Sequence, residues 1–207
     1  MLPSLRRLTA SALAAAVAAG LAIAPLTAQA SPAEPVEAVD AALLEAMKRA
    51  DELGFEGRFA LLEPVVQESF DLPYMAEIAV GRHWQKLDAE QKRALVEVFG
   101  ELSVASFAAR FDGYSGETFE LGQTRDGPRG SKLVVNRLVK GDGEAIPINF
   151  LLREVEGEWR IVDILLDAKF SELATKRSEY TSVVGSQGFD QLLVLLERKV
   201  AELRTAD

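Results

Sequence analysis

The sequence predicts an α+β domain in which helices precede and follow a four-stranded antiparallel sheet. Two observations carry this. Apolar residues recur at helical spacing up to Phe111, and at Asp112-Gly113 the pattern changes to short apolar segments separated by tight turns. Past Asp167 the helical spacing returns. Helices, a sheet and helices again make an α+β chain.

The elements follow in order. From Pro35 to about Leu53, Val36, Val39, Leu43 and Met47 keep helical spacing. Arg58 to Phe70 predicts a second helix, interrupted or kinked by Pro64. Leu72 to Val80 predicts a third, ending at Gly81. Asp88, with Gln91 three residues on, has the spacing of a capping box and opens a long helix to about Phe111. Its apolar residues, among them Leu95, Val98, Phe99, Leu102 and Phe107, cover more than one stripe, so it is expected to be buried on two sides. The strands are Glu117–Thr124, Lys132–Lys140, Ala145–Glu154 and Glu158–Asp167, joined by turns such as Gly141-Asp142-Gly143 and Glu156-Gly157. The third alternates Ile146, Ile148, Phe150 and Leu152 on one face. The fourth is apolar on both faces and is expected to be covered on both. Helices over Ser171–Val184 and Phe189–Leu203 close the chain.

The first 30 residues are expected to stand outside this fold. Arg6 and Arg7 precede an apolar run from Leu8 to Ala24, and Ala28-Gln29-Ala30 places small residues where a signal peptidase accepts them. The reading is a cleavable signal peptide over 1–30 and a single domain over 31–207, exported to the periplasm. Loss of the two arginines takes the formal charge from −9 to −11.

Composition excludes several chemistries. The chain has no cysteine and a single histidine, His83, so thiolate zinc sites, iron–sulfur clusters, cysteine nucleophiles and multi-His metal sites are out. No metal and no cofactor are expected. The acidic balance argues against a nucleic-acid surface. A serine triad would need His83 as base and Ser69, Ser103 or Ser115 as nucleophile, yet no nucleophile elbow is present. Asp163 interrupts an otherwise apolar strand. It could be the general base of a small NTF2-like enzyme of the ketosteroid-isomerase type, or a carboxylate that pairs with an arginine or caps backbone amides. The abundant apolar surface, with ten phenylalanines, fits an ordinary core or an internal cavity. Composition and spacing leave a hydrophobic-ligand carrier, a small enzyme and a structural periplasmic domain all open.

Several motifs resemble a known family. Phe70-Asp71-Leu72-Pro73-Tyr74-Met75-Ala76, Gly81-Arg82-His83-Trp84, Gln91 and Phe99, Glu158 to Asp163, Arg177-Ser178-Glu179-Tyr180 and Leu192–Lys199 occur in the order and spacing of the MlaC-like family. Its members are periplasmic phospholipid-binding proteins, also called toluene-tolerance auxiliary proteins. Arg110 to Glu117 and Ser171-Glu172-Leu173-Ala174 resemble its HpnM-like branch, associated with hopanoid-biosynthesis loci. Ala168-Lys169-Phe170-Ser171 and Thr175-Lys176-Arg177 depart from the common family pattern. The resemblance implies an NTF2-like fold enclosing a hydrophobic cavity for lipid tails, and no reaction. It implies a lipid ligand, hopanoid or phospholipid, carried between inner and outer membranes. The implied partners are an inner-membrane lipid transporter, of RND type for the hopanoid branch or of ABC/MCE type, and a partner at the outer membrane.

A carrier of this kind needs a dry pocket of roughly 300–1,000 Å³ with few polar groups. The apolar faces expected to meet between sheet and helices supply Phe59, Leu62, Val66, Phe70, Met75, Phe99, Leu102, Phe107, Ile148, Phe150, Leu152, Ile164 and Phe170 as candidate lipid-binding residues.

Overall fold

The computed structural model describes residues 30–205. Residues 1–29 of the expected signal peptide lie outside the described residues. The first helix, α1 (Glu34–Lys48), starts with Pro35 in its first turn and buries the stripe Val36, Val39, Leu43 and Met47. It ends five residues before the predicted Leu53, because Arg49 leaves the helical region (φ −110°, ψ 17°) and starts a new helix. That helix, α2 (Ala50–Ser69), breaks at Gly54, whose φ of 57° and ψ of −174° suit a residue without a side chain. Pro64 keeps helical dihedrals, so the interruption expected there falls ten residues earlier.

Helix α3 (Leu72–Val80) is capped by Asp71, which accepts from the Tyr74 amide at 3.2 Å, and stops at Gly81 with φ 54°. A 3₁₀ turn over Gly81–Lys86 carries His83 and Trp84. The predicted capping box opens α4 (Ala89–Arg110). Asp88 accepts from the Gln91 amide at 2.9 Å, and Gln91 Oε1 accepts from the Asp88 amide at 3.1 Å. Two orphan amides are thereby satisfied where the helix needs it.

The sheet is an antiparallel meander of β1 (Thr118–Asp126), β2 (Lys132–Val139), β3 (Ala145–Val155), β4 (Glu158–Leu166) and β5 (Phe170–Ser171), in that spatial order. It has five strands where four were expected. Asp167 and Ala168 both take positive φ, and the Lys169 amide donates to the Leu166 carbonyl at 3.0 Å. This tight reversal folds two further residues back onto Leu165 and Leu166. On β4, Ile161 and Asp163 are both buried although their cross-strand partners Leu152 and Leu151 lie on opposite faces, so the strand, bulged between them, is covered on both sides there. Helices α5 (Glu172–Gln187) and α6 (Phe189–Thr205) complete the fold.

The segment between α2 and α3 is stitched to the sheet. The Asp71 amide donates to the Ile161 carbonyl at 2.9 Å, and the Asp71 carboxylate pairs with Arg153 Nε at 3.0 Å. The Arg153 guanidinium lies 4.3 Å from the Tyr74 ring centre, and the Arg160 guanidinium donates to the Glu68 carbonyl. The Phe70–Ala76 and Glu158–Asp163 motifs therefore lock helices to sheet.

Candidate functional site: an apolar cavity under the sheet

Strand parity sets the floor of a cavity of about 220 Å³. Phe150 pairs across strands with Ile164, and Ile148 pairs with Leu166, which puts all four side chains on one face. These four line the cavity. Phe119 of β1, Leu43 of α1, Met75 of α3 and the α4 residues Ser103, Ser106 and Phe107 close over them. Phe70, Phe107, Phe111 and Phe119 run as a file of rings along the wall, with successive centroids 6.0, 6.3 and 6.3 Å apart. The Ser103 and Ser106 hydroxyls donate back to the Phe99 and Leu102 carbonyls at 2.8 and 2.6 Å. Their protons are thus used within the helix, and the wall offers little to a polar guest. Arg110, Glu172 and Lys176 form the polar part of the lining.

Six of the thirteen candidates line this cavity: Phe70, Met75, Phe107, Ile148, Phe150 and Ile164. Leu102 lines a second cavity, of about 260 Å³, between α4, α5 and α6. Phe59, Leu62, Val66, Phe99 and Leu152 are buried in the main core and line neither. Phe59 sits beneath the Arg204 guanidinium, 4.7 Å from its ring centre, and Phe99 meets Tyr180 edge-on at 6.4 Å. Phe170, on the edge strand β5, is 65% exposed. Leu43, Phe111, Phe119, Leu166 and Leu173 also line the first cavity without having been singled out. Phe111 and Phe119 flank the helix-to-sheet crossing, where neither period applies.

Asp163 lies on the opposite face of β4 from Ile164 and caps helix α5. Its carboxylate accepts from the Ile164 amide at 2.8 Å, the Leu173 amide at 3.0 Å and the Ser171 hydroxyl at 2.5 Å. Three donors hold it, and it lines neither cavity. The capping account of this residue therefore has the geometry, and a general base would need a free oxygen aimed at the cavity. His83 also lines neither cavity. Asp40 of α1 is a second buried carboxylate. Both its oxygens accept from Asn136 Nδ2, at 2.9 and 3.0 Å, and Asn136 lies on the sheet face of Val134 and Phe150. Burial pushes Asp40 up to about 7, Glu37 adds to the rise and the Asn136 amide opposes it. Among the described residues, no group of three or more His, Cys, Asp and Glu could hold a metal ion.

Comparison with known proteins agrees with this geometry. The described fold superposes on the phospholipid-binding protein of Ralstonia solanacearum, solved in complex with a phospholipid. Its TM-score is 0.73, over 84% of this chain and 99% of that one, at 18% identity. The chain is 22% identical over 138 residues to the intermembrane phospholipid transport system binding protein MlaC of Haemophilus influenzae. That match covers 64% of this chain and 63% of the relative's length. The model of the MlaC protein family matches residues 37–198, from the buried stripe of α1 to the last turns of α6. With every residue that lines the first cavity inside that match, the chain belongs to the MlaC family.

Proposed function

We propose that this protein is a noncatalytic periplasmic carrier that holds the tails of a membrane lipid in the cavity under the sheet and moves the lipid between the inner and outer membranes. The observation that carries this reading is the file of four phenylalanines along a cavity whose serines are already hydrogen-bonded to their own helix. Lifting a 16-carbon chain out of a bilayer forfeits on the order of 12 kcal/mol at about 0.8 kcal/mol per methylene. Only a dry apolar lining returns that energy. The cavity of about 220 Å³ takes part of a tail, and its walls must part for the rest.

A diacyl phospholipid is the first cargo, in keeping with what the Ralstonia protein holds and what the Haemophilus system is named for. A hopanoid is the second, supported by Arg110–Glu117 and Ser171–Ala174, which resemble the hopanoid-associated branch. In this reading residues 1–30 direct export. Delivery runs through an inner-membrane transporter, ABC/MCE-type for phospholipid or RND-type for hopanoid, and a partner at the outer membrane. The test is native mass spectrometry, with lipid extraction, of protein purified from a periplasm without detergent. A stoichiometric diacyl phospholipid is expected, a stoichiometric hopanoid would move the cargo to the second class, and protein without lipid would overturn the carrier.

A further inference from the structure

The two cavities share two residues, Ser106 of α4 and Lys176 of α5. Lys176 thus stands where an opening under the sheet meets one between α4, α5 and α6. Two tails joined at one glycerol can part at such a point. Arg110 lines the first cavity beside it, and Lys199 lines the second. Among the described residues, neither the Lys176 ammonium nor the Arg110 guanidinium has a hydrogen bond or an ion pair. Glu172 is four residues before Lys176 on the same helix, the spacing of a helical ion pair, yet no pair within 4.0 Å forms. Glu179 faces the same ammonium from the next turn.

The charge count at the junction is therefore three cations, Arg110, Lys176 and Lys199, against two carboxylates, Glu172 and Glu179. One positive charge is left over, at a place where Lys176 and Glu172 are half-buried while Arg110, Lys199 and Glu179 reach it from the exposed side. Burial pushes the Lys176 ammonium below the ordinary lysine value, Arg110 and Lys199 press it further down, and Glu172 and Glu179 oppose this. A cation that loses water without gaining a partner is stabilised by an incoming anion. A phosphodiester carries the one negative charge that balances the excess, and guanidinium and ammonium donors suit its oxygens.

Building on the carrier reading, we infer that Lys176 and Arg110 form a subsite for the phosphodiester of the lipid headgroup at the junction of the two cavities. The tails supply affinity without regard to the head, and this pair supplies selection for a lipid that carries phosphate over one with the same tails and none.

The test compares dioctanoyl-phosphatidylethanolamine with dioctanoylglycerol by the ratio of their affinities, so that any change in tail binding cancels. The full mature chain is expected to prefer the phospholipid at least tenfold. Lys176→Met should bring the ratio to near one, Arg110→Gln should lower it severalfold, and Lys176→Arg should preserve it. An unchanged ratio in Lys176→Met and in the double variant, with circular dichroism confirming a folded chain, would overturn the subsite. Titration with inorganic phosphate separates the sources. Tight binding of phosphate alone, lost in Lys176→Met, would make this a free-anion site and overturn the headgroup assignment. Wild-type protein that binds neither lipid would instead overturn the carrier itself.

Discussion

Asp40→Asn isolates the cost of one buried carboxylate that fastens α1 to the cavity face of the sheet. Its pKa is pushed from 3.8 up to about 7, chiefly by burial. A raised carboxylate binds its proton more tightly in the folded chain than in the unfolded one. The stability it contributes is therefore complete below about pH 4 and is lost as pH rises through 7. Roughly three units at about 1.4 kcal/mol each set the full swing on the order of 4 kcal/mol. Asparagine keeps the shape and has no proton to lose. Its amide also brings donors to a neighbourhood where Asn136 Oδ1 is buried without a partner. Urea unfolding of both proteins at half-unit steps from pH 5 to 8 reads the effect. The stability of the variant minus that of the wild type should climb by about 1.4 kcal/mol per pH unit up to pH 7 and then level off. Other carboxylates titrate alike in both chains and cancel. A difference that stays constant across the range would refute the assignment of a raised pKa to Asp40.

Three further outcomes follow from the same packing. Asp163→Ala strands the Ile164 and Leu173 amides and the Ser171 hydroxyl, and is expected to cost about 2–3 kcal/mol by thermal unfolding, whereas a loss under 0.5 kcal/mol would mean the cap does not hold α5. Pro64→Ala lets residue 64 donate a helical hydrogen bond within α2 at an exposed position and should stabilise the protein by about 1–2 kcal/mol in urea, an unchanged midpoint counting against the helix continuing through that point. Ile148→Asp places a charge on a half-buried cavity-wall position and should cut co-purifying lipid at least tenfold in a chain that still folds by circular dichroism. Undiminished lipid would remove β3 from the binding wall.

What was legible in the sequence was what local chemistry decides. Asp88 and Gln91 announce the start of α4 because a capping box is complete within four residues. The alternation of Ile148 and Phe150 puts them on one face whatever the rest of the chain does. The breaks at Arg49 and Gly54 were hidden because the apolar spacing runs on across them. Strand β5 was hidden because two residues carry no period, and its turn uses Asp167-Ala168 where glycine would have signalled the reversal. That turn is also why Phe170, though next to an apolar strand, ends at an exposed edge. Periodicity says which side of α2 is buried but not whether it meets core or cavity, so in the sequence Phe59, Leu62 and Val66 look the same as the cavity residue Phe107. Asp40 had a readable signal, a carboxylate within the stripe Val36, Val39, Leu43. Arg110 and Lys176 each stand in a stretch with a motif signal, Arg110–Glu117 and Thr175-Lys176-Arg177, but nothing local says that the two meet in one lining.

The claim on which the rest depends is that a lipid tail lies against the phenylalanine file beneath the sheet. A phosphatidylethanolamine carrying a photoactivatable diazirine near the end of one acyl chain tests it directly. The protein is loaded with this lipid, irradiated, digested and mapped by mass spectrometry. The expected adducts fall on the peptides bearing Phe107, Phe111, Ile148 and Phe150. Labelling confined to exposed positions such as Phe170 and Val194, with those peptides unmodified, would contradict the account.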